Sequence, residues 1–409
     1  MKLVVTTLMG VEALVGEELR GLGYPAESVS VQNARVVLDA GDDYAAACAR
    51  VNLWTRYGER VLLELGQAPA PDFDALFDAT RALPWEEWIA PGQVILVDGY
   101  SRHSALFGVS ACQSIIKKAI IERLAGVRGA GPGGRIEEDP ACGTVPVRFG
   151  IVDDIVTYMA DTSGAGLHKR GYRPLRNVAP IRETLAAALI RLSLWNPEGG
   201  EALVDPFCGS GTIPIEAALA ARRMAPGRSR SFGSESWHVV GSAAFAAARE
   251  EVAEIESRHL TLQIPIFGSD IEPALAALSA ENAVRAGVGD TLRFYTADAI
   301  GGDGTGGLDQ ARLDRETGST RRLVVCNPPY GERLMDPETA RAIQVGIGAA
   351  CLPGGHLRDD CRLTVLSPDE AFERTVGCRA DKRRKLYNGM IKCTMYHYHR
   401  HSAQQGGSR

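Results

Sequence analysis

The chain has 409 residues, 45% of them hydrophobic and 23% charged, with a formal net charge of −5 at pH 7. That length supports two or three domains with sizeable cores, and the composition is globular rather than disordered or fibrous. No apolar run approaches the ~20 residues that span a bilayer, and nine cysteines without a Cys-x-x-Cys offer no disulfide framework or zinc site.

The N-terminus opens on a strand pattern with no signal-peptide cleavage site, so a reducing, cytoplasmic setting is expected, with no membrane partner and no metal. Residues 1–64 read as a small α+β unit: strand 3–8, helix 11–22, strand 34–39. Ala68-Pro69-Ala70-Pro71-Asp72 reads as a linker or tight connection. A second α/β unit covers 65–163, with a strand at 93–97, a helix at 109–124 and a glycine-rich loop at 126–134. Its last part, 145–151 and 155–160 around Asp153-Asp154, alternates as an antiparallel hairpin.

From about 164 to 400, strands and helices alternate, predicting a mostly parallel sheet covered on both faces. Leu203-Val204-Asp205 is a short apolar strand. Pro206-Phe207-Cys208-Gly209-Ser210-Gly211-Thr212 turns from it into a helix that tolerates Pro214 in its first turn. This strand, glycine turn and helix let a nucleotide-like ligand approach backbone N–H groups. Pro214 at the third glycine position rules out a dinucleotide fingerprint, and no Gly-Lys-Ser/Thr follows. A ligand without phosphate, S-adenosylmethionine, suits such a turn. Further strands end at Asp270, placed to accept ribose hydroxyls, and at Asp298, placed to accept an adenine amine. Asp270 lies well past the ~20 residues usual between a glycine loop and its ribose acid, because residues 222–262 intervene.

The most specific motif is Asn327-Pro328-Pro329-Tyr330, after the apolar strand Leu323-Val324-Val325-Cys326. Two prolines end the strand's ladder and present an amide, a carbonyl and an aromatic ring together. Asn327 Oδ1 and the Pro328 carbonyl can accept both hydrogens of an exocyclic amine while Tyr330 stacks on its ring. Cys208 and Cys326 lie nearby. As nucleophiles they would point to pyrimidine C5 chemistry, but their expected role is that of small buried apolar residues. The stretch 301–320 reads as a polar, glycine-rich loop. Asn388-Gly389, between strand-like 385–387 and 391–398, is a hairpin signal, and 401–409 read as a disordered tail.

These motifs, with the extension Gly331-Glu332-Arg333-Leu334 and the block Asp161-Thr162-Ser163-Gly164 through Lys169-Arg170-Gly171-Tyr172-Arg173, resemble the THUMP-containing class I RNA methyltransferases that make N2-methylguanosine. The resemblance covers nearly the whole chain. It implies a Rossmann-like domain over 164–400 whose sheet closes with an antiparallel C-terminal hairpin. A ferredoxin-like unit over 1–64 and a THUMP unit over 65–163 would precede it and bind RNA. S-adenosylmethionine is the implied cofactor and guanosine N2 the implied acceptor, in 23S rRNA, with transfer RNA as the alternative. The implied catalytic residues are Asn327, Pro328 and Tyr330. The implied cofactor contacts are Thr184 after the Pro180 turn, then Asp205, Phe207, Cys208, Gly209, Ser210 and Gly211, then Asp270, Ile271, Asp298 and Asn327.

The net charge does not advertise RNA binding, but basic residues cluster. Lys117 and Lys118 lie near Arg102 and His103. Lys169, Arg170, Arg173 and Arg176 fill the connector, and Lys382-Arg383-Arg384-Lys385 lies near the C-terminus. Lys117, Lys118, Lys169, Arg170 and Arg173 are the expected phosphate contacts. Two further readings share these features. One is an adenine-N6 methyltransferase, and the other is a non-catalytic RNA-binding assembly factor on the same fold.

Overall fold

The computed structural model describes residues 1–129, 135–173, 180–301, 308, 314–315, 321–330 and 336–399. Contacts divide the chain into two units. One holds Met1–Thr7, Gly16–Leu167 and Ser231–Glu250, and the other Leu8–Val15, His168–Arg230 and Glu251–Arg409.

The first unit is built on a seven-stranded sheet of β1 (Lys2–Thr7), β2 (Val29–Gln32), β3 (Arg35–Asp39), β4 (Gly58–Pro69), β5 (Val94–Arg102), β6 (Thr144–Val152) and β7 (Ile155–Asp161). Their order is β2-β3-β1-β4-β7-β6-β5. Only β5 and β6 pair parallel. The first four helices of the chain are α1 (Glu12–Gly21), α2 (Tyr44–Trp54), α3 (Phe73–Ala82) and α4 (Val109–Val127). The twelve-residue β4 joins the sheet's two halves, pairing with β1 early and with β7 late. The boundary expected at 64/65 therefore falls inside a strand. Ala68 and Pro69 are not linker residues, since they pair with Val156 and Ile155. Pro69 is tolerated there as the strand's last residue. The predicted β6–β7 hairpin is present, and Asp153 and Asp154 take φ of 50° and 59°. Left-handed backbone at both turn residues matches the twist of the strands, and Asp tolerates it.

The second unit's sheet contains β8 (Ala202–Asp205), β9 (Ile266–Asp270), β10 (Leu292–Thr296), β11 (Arg322–Cys326), β12 (Cys361–Ser367), β13 (Lys382–Asn388) and β14 (Ile391–Tyr398), in the order β10-β9-β8-β11-β12-β14-β13. Pairing is parallel from β10 to β12 and antiparallel at β14 and β13. Further helices are α5 (Glu183–Leu192), α6 (Thr212–Ala221), α7 (Gly241–Ser257), α8 (Pro273–Ala286), α9 (Pro337–Cys351) and the single turn α10 (Phe372–Thr375). Every residue of β8 and β11 is buried, in keeping with the apolar stretches Ala202-Leu203-Val204 and Leu323-Val324-Val325-Cys326 within them. From β8 the chain moves outward to β9 and β10, then returns to place β11 on β8's other side. The sheet's topological switch point is thus between β8 and β11, where ligand crevices form in such sheets.

Three details differ from expectation. The strand predicted to end at Asp298 stops at Thr296, because its last ladder partner, Asp270, ends β9. The sequence marks one apolar helical face through Ile181, Leu185, Ala188, Leu189 and Leu192, but α5 is buried at every residue from Glu183 through Ile190. The turn of the last hairpin is shifted by one residue. Asn388 still pairs with Ile391, leaving Gly389 and Met390 as the turn. Gly389 takes φ 64° and Met390 no positive φ, the pattern of a turn with glycine first. Gly331–Leu334, Arg176, the tail 401–409 and nearly all of the 301–320 loop lie outside the described residues.

Candidate functional site

Strands β8, β9 and β11 end side by side at the switch point, and their loops build the site. Asp205, fully buried, accepts a hydrogen bond from the Phe207 N–H at 3.1 Å. Cys208 donates from its backbone to the Ser269 carbonyl, and Gly211 to that of Cys208. Gly209 has φ 54°, and a Cβ built on it would meet nothing within 4 Å. Gly211, at φ 79°, is enclosed: a Cβ there would lie 3.0 Å from Ser279. The open glycine is therefore the place for close backbone approach, and the enclosed one serves packing.

Helix α8 holds this loop from beneath. Ser279 Oγ donates to the Gly209 carbonyl at 2.9 Å, and Asn282 Nδ2 to the Ser210 carbonyl at 3.0 Å. Both side chains are buried, three residues apart on one helix face. Nothing in the motif itself signals them, since their partners are backbone carbonyls about 70 residues earlier in the chain. Asn282→Ala strands a buried carbonyl. The expected result is a loss of about 1–3 kcal/mol in stability, with weaker cofactor binding, read by chemical denaturation and calorimetry.

Asp270 accepts from the Gly209 N–H at 2.9 Å and, with its other oxygen, from the Glu272 N–H at 3.0 Å. Each oxygen keeps a lone pair for a further donor. Ile271 is 62% exposed beside it, an apolar side chain open to a flat ligand. Asp298 is exposed and accepts from the Ile300 N–H at 3.1 Å, closing its own turn. Thr184 lies buried near the start of α5, and Phe207 packs half-buried on the core.

Asn327 follows β11 directly. Its Oδ1 is buried and has no hydrogen-bond partner among the described residues. Native structures rarely leave a buried amide oxygen unpaired, because doing so costs free energy. Pro328 is buried, and Tyr330 is half-buried with its hydroxyl accepting from Asn388 Nδ2 at 2.7 Å. All nine cysteines are free. Burial pushes the Cys208 and Cys326 thiols well above their ordinary range, so neither is an activated nucleophile.

Burial also pushes the Asp205 carboxyl up to about 8, with the Asp270 charge adding to the effect. An unfolded Asp titrates near ~4, so the folded chain holds an extra proton between the two values. That contribution to stability is complete below ~4 and is lost as pH rises through about 8. Asp205→Asn should flatten the fall in denaturation midpoint between pH 5 and 9. Parallel slopes in the two proteins would contradict a buried, neutral Asp205.

Two of the expected phosphate contacts are corrected by their surroundings. The Arg170 side chain, only 3% exposed, lies 3.6 Å from the buried Glu216 carboxylate. Arg173 pairs with Glu183 at 2.6 Å and donates to Thr212 Oγ1 and the Ile181 carbonyl. Both guanidinium groups are committed to internal partners. Lys117 pairs with Glu138 at 3.0 Å, while Lys118 and Lys169 are exposed.

Three family models match the chain: an RMKL-like methyltransferase domain over residues 170–397, an RlmL ferredoxin-like domain over 2–62 and a THUMP domain over 70–130. "Putative RNA methyltransferase YpsC" of Bacillus subtilis is 38% identical over 97% of this chain and 95% of its own. The ribosomal RNA large subunit methyltransferase K/L of Syntrophotalea carbinolica is 31% identical over 97% of this chain, which spans only 53% of that protein. Among solved structures, a "predicted N6-adenine-specific DNA methylase" from Listeria monocytogenes superposes with a TM-score of 0.83. It is 38% identical, covering 97% of this chain and 96% of that one. SMU.472, a methyltransferase by name and complexed with SAH, also gives 0.83 at 32% identity, covering 98% and 99%.

Proposed function

The chain belongs to the RMKL-like methyltransferase family, and from that premise we propose that it transfers a methyl group from S-adenosylmethionine to the exocyclic N2 of a guanosine in structured RNA. The target class is 23S rRNA, with transfer RNA as the alternative. The observation that carries the reading is the buried Oδ1 of Asn327 at the switch point, which has no hydrogen-bond partner among the described residues.

The cofactor, when bound, supplies an electrophilic methyl group on its sulfonium. The residues present fit it. Gly209 leaves room for close approach, Asp270 keeps lone pairs for two hydroxyls, and Ile271 offers an apolar face. Phe207, Cys208, Ser210, Gly211, Asp205 and Thr184 shape the pocket around them. Asp298 retains acceptor capacity for an adenine amine.

A guanine amine is a poor nucleophile because its lone pair is delocalised into the ring. Asn327 Oδ1 and the Pro328 carbonyl accept its two hydrogens and favour a more tetrahedral, nucleophilic nitrogen. Tyr330 stacks on the flipped base. Holding the amine in line supplies most of the acceleration. No strong base is required, since the alkylated amine loses its proton readily.

The ferredoxin-like part, matched over 2–62, and the THUMP part, matched over 70–130, grip RNA. Exposed Lys118 and Lys169 are available to phosphates, and residues 164–400 carry out the transfer. Adenine N6 is the second reading, favoured by the shared Asn-Pro-Pro-Tyr core and by the name given to the Listeria methylase.

RNA from cells lacking the protein, incubated with it and isotope-labelled S-adenosylmethionine, separates these outcomes. Labelled N2-methylguanosine in the ribosomal fraction is expected. Label in transfer RNA moves the substrate, and label on adenine replaces the guanine reading.

A further inference from the structure

The C-terminal hairpin reaches past the sheet. Strand β12 ends its pairing at Ser367 opposite Thr394, but β13 and β14 continue through Leu386–Cys393, Tyr387–Lys392 and Asn388–Ile391. Three ladder pairs thus project beyond the carboxyl end of β12, about 10 Å at strand spacing. This is the same sheet edge on which Asn327 lies, because β11 and β12 run parallel.

The projecting end meets Tyr330. Asn388 Nδ2 donates to the tyrosine hydroxyl at 2.7 Å, and Cys393 Sγ lies 3.7 Å from it. The turn does not explain Asn388. Gly389, not Asn388, takes the left-handed conformation that turn asparagines commonly supply. The asparagine amide is instead committed to the tyrosine hydroxyl of the Asn-Pro-Pro-Tyr motif. Beyond it, Met390 is 98% exposed at the hairpin tip.

We propose that the projecting end of the β13–β14 hairpin is a wall of the target-base pocket and that Asn388 is the positioning residue for Tyr330. The inference rests on the function proposed above. The backbone after β11 fixes one end of the tyrosine, and Asn388 fixes the other. A ring tethered at both ends keeps one plane, so a flipped base stacks on a preformed surface rather than ordering it on arrival. Stacking acts on the bound base before and during transfer alike, so its loss raises KM more than it lowers kcat.

The test compares Tyr330→Phe, Asn388→Ala, Asn388→Asp and the Tyr330→Phe/Asn388→Ala pair, assayed with unmodified RNA and labelled S-adenosylmethionine. Calorimetric SAH binding and thermal midpoints are measured alongside. Tyr330→Phe and Asn388→Ala should each lower kcat/KM for RNA roughly tenfold, mostly through KM. The double variant should be no worse than the worse single one, because both changes remove one hydrogen bond. Asn388→Asp should recover most activity, since its carboxylate accepts from the tyrosine hydroxyl. SAH binding should be unchanged throughout. Additive losses, an alanine variant with wild-type KM, or an aspartate variant as poor as alanine would each overturn the positioning role. A wild-type protein that labels adenine overturns the guanine reading but leaves the non-additive pattern to uphold the inference on that product. A wild-type protein that labels no nucleoside overturns both.

Discussion

Asn327→Ala should reduce methyl transfer by about 10²–10³-fold or more, the cost typical of removing one preorganised polar group from a reaction centre. Affinity for SAH should stay within a few-fold of wild type. The asymmetry follows from position. The Gly209 turn, Asp270 and the α8 contacts that support them make no hydrogen bond to Asn327, whose Oδ1 is without a partner among the described residues. An amide oxygen already buried loses little more hydration when the amine arrives, so its interaction with the N–H hydrogens is fully available to the transition state. Asn327→Asp keeps an acceptor and should retain more activity than alanine. Stopped-time assays under saturating cofactor, with calorimetry on the same preparations, read the two quantities separately. Equal loss of transfer and of SAH binding would assign Asn327 to cofactor holding instead.

The parts of the site that lie along the chain were readable before the structure. Apolar strands ending in Asp205, Asp270 and Cys326 each lie within a short window, and their chemistry is carried by the residue at or next to the end. Alternation of such strands with helices determines a parallel sheet, and the order of the motifs puts them at one edge. What could not be read is what each polar group faces. Ser279 and Asn282 look like ordinary residues of an amphipathic helix until α8 sets them under Gly209 and Ser210. Asn388 reads as a turn residue because Asn-Gly is a turn signal, yet the turn moves on by one and its amide is used elsewhere. The second half of β4, 64–69, was missed because Gly66 and Pro69 interrupt it and leave no apolar alternation of the kind that marks a strand.

Glu216→Ala should be among the most destabilising single changes in the second unit, by roughly 3–5 kcal/mol, the usual cost of removing one partner from a buried ion pair. Lys169-Arg170-Gly171-Tyr172-Arg173 looks like a track for phosphates, and in the folded chain most of it is interior. Arg170 faces Glu216, Tyr172 donates to the same carboxylate at 3.2 Å, and Arg173 holds Glu183. Two cations and two carboxylates make the cluster neutral, and burial, with the Glu216 charge adding to it, raises the Glu183 carboxyl and the Tyr172 hydroxyl above their ordinary ranges. Removing Glu216 leaves Arg170 charged where water cannot reach it, since a guanidinium does not neutralise by losing its proton. The damage extends toward the glycine turn, because Arg173 also holds Thr212, the first residue of α6. Tyr172→Phe, which removes one neutral donor, should cost only about 1 kcal/mol. Denaturation of the three proteins, followed with and without SAH, gives the ordering. A Glu216→Ala loss no larger than that of Tyr172→Phe would mean that Arg170 reaches solvent, and its reading as a phosphate contact would then stand.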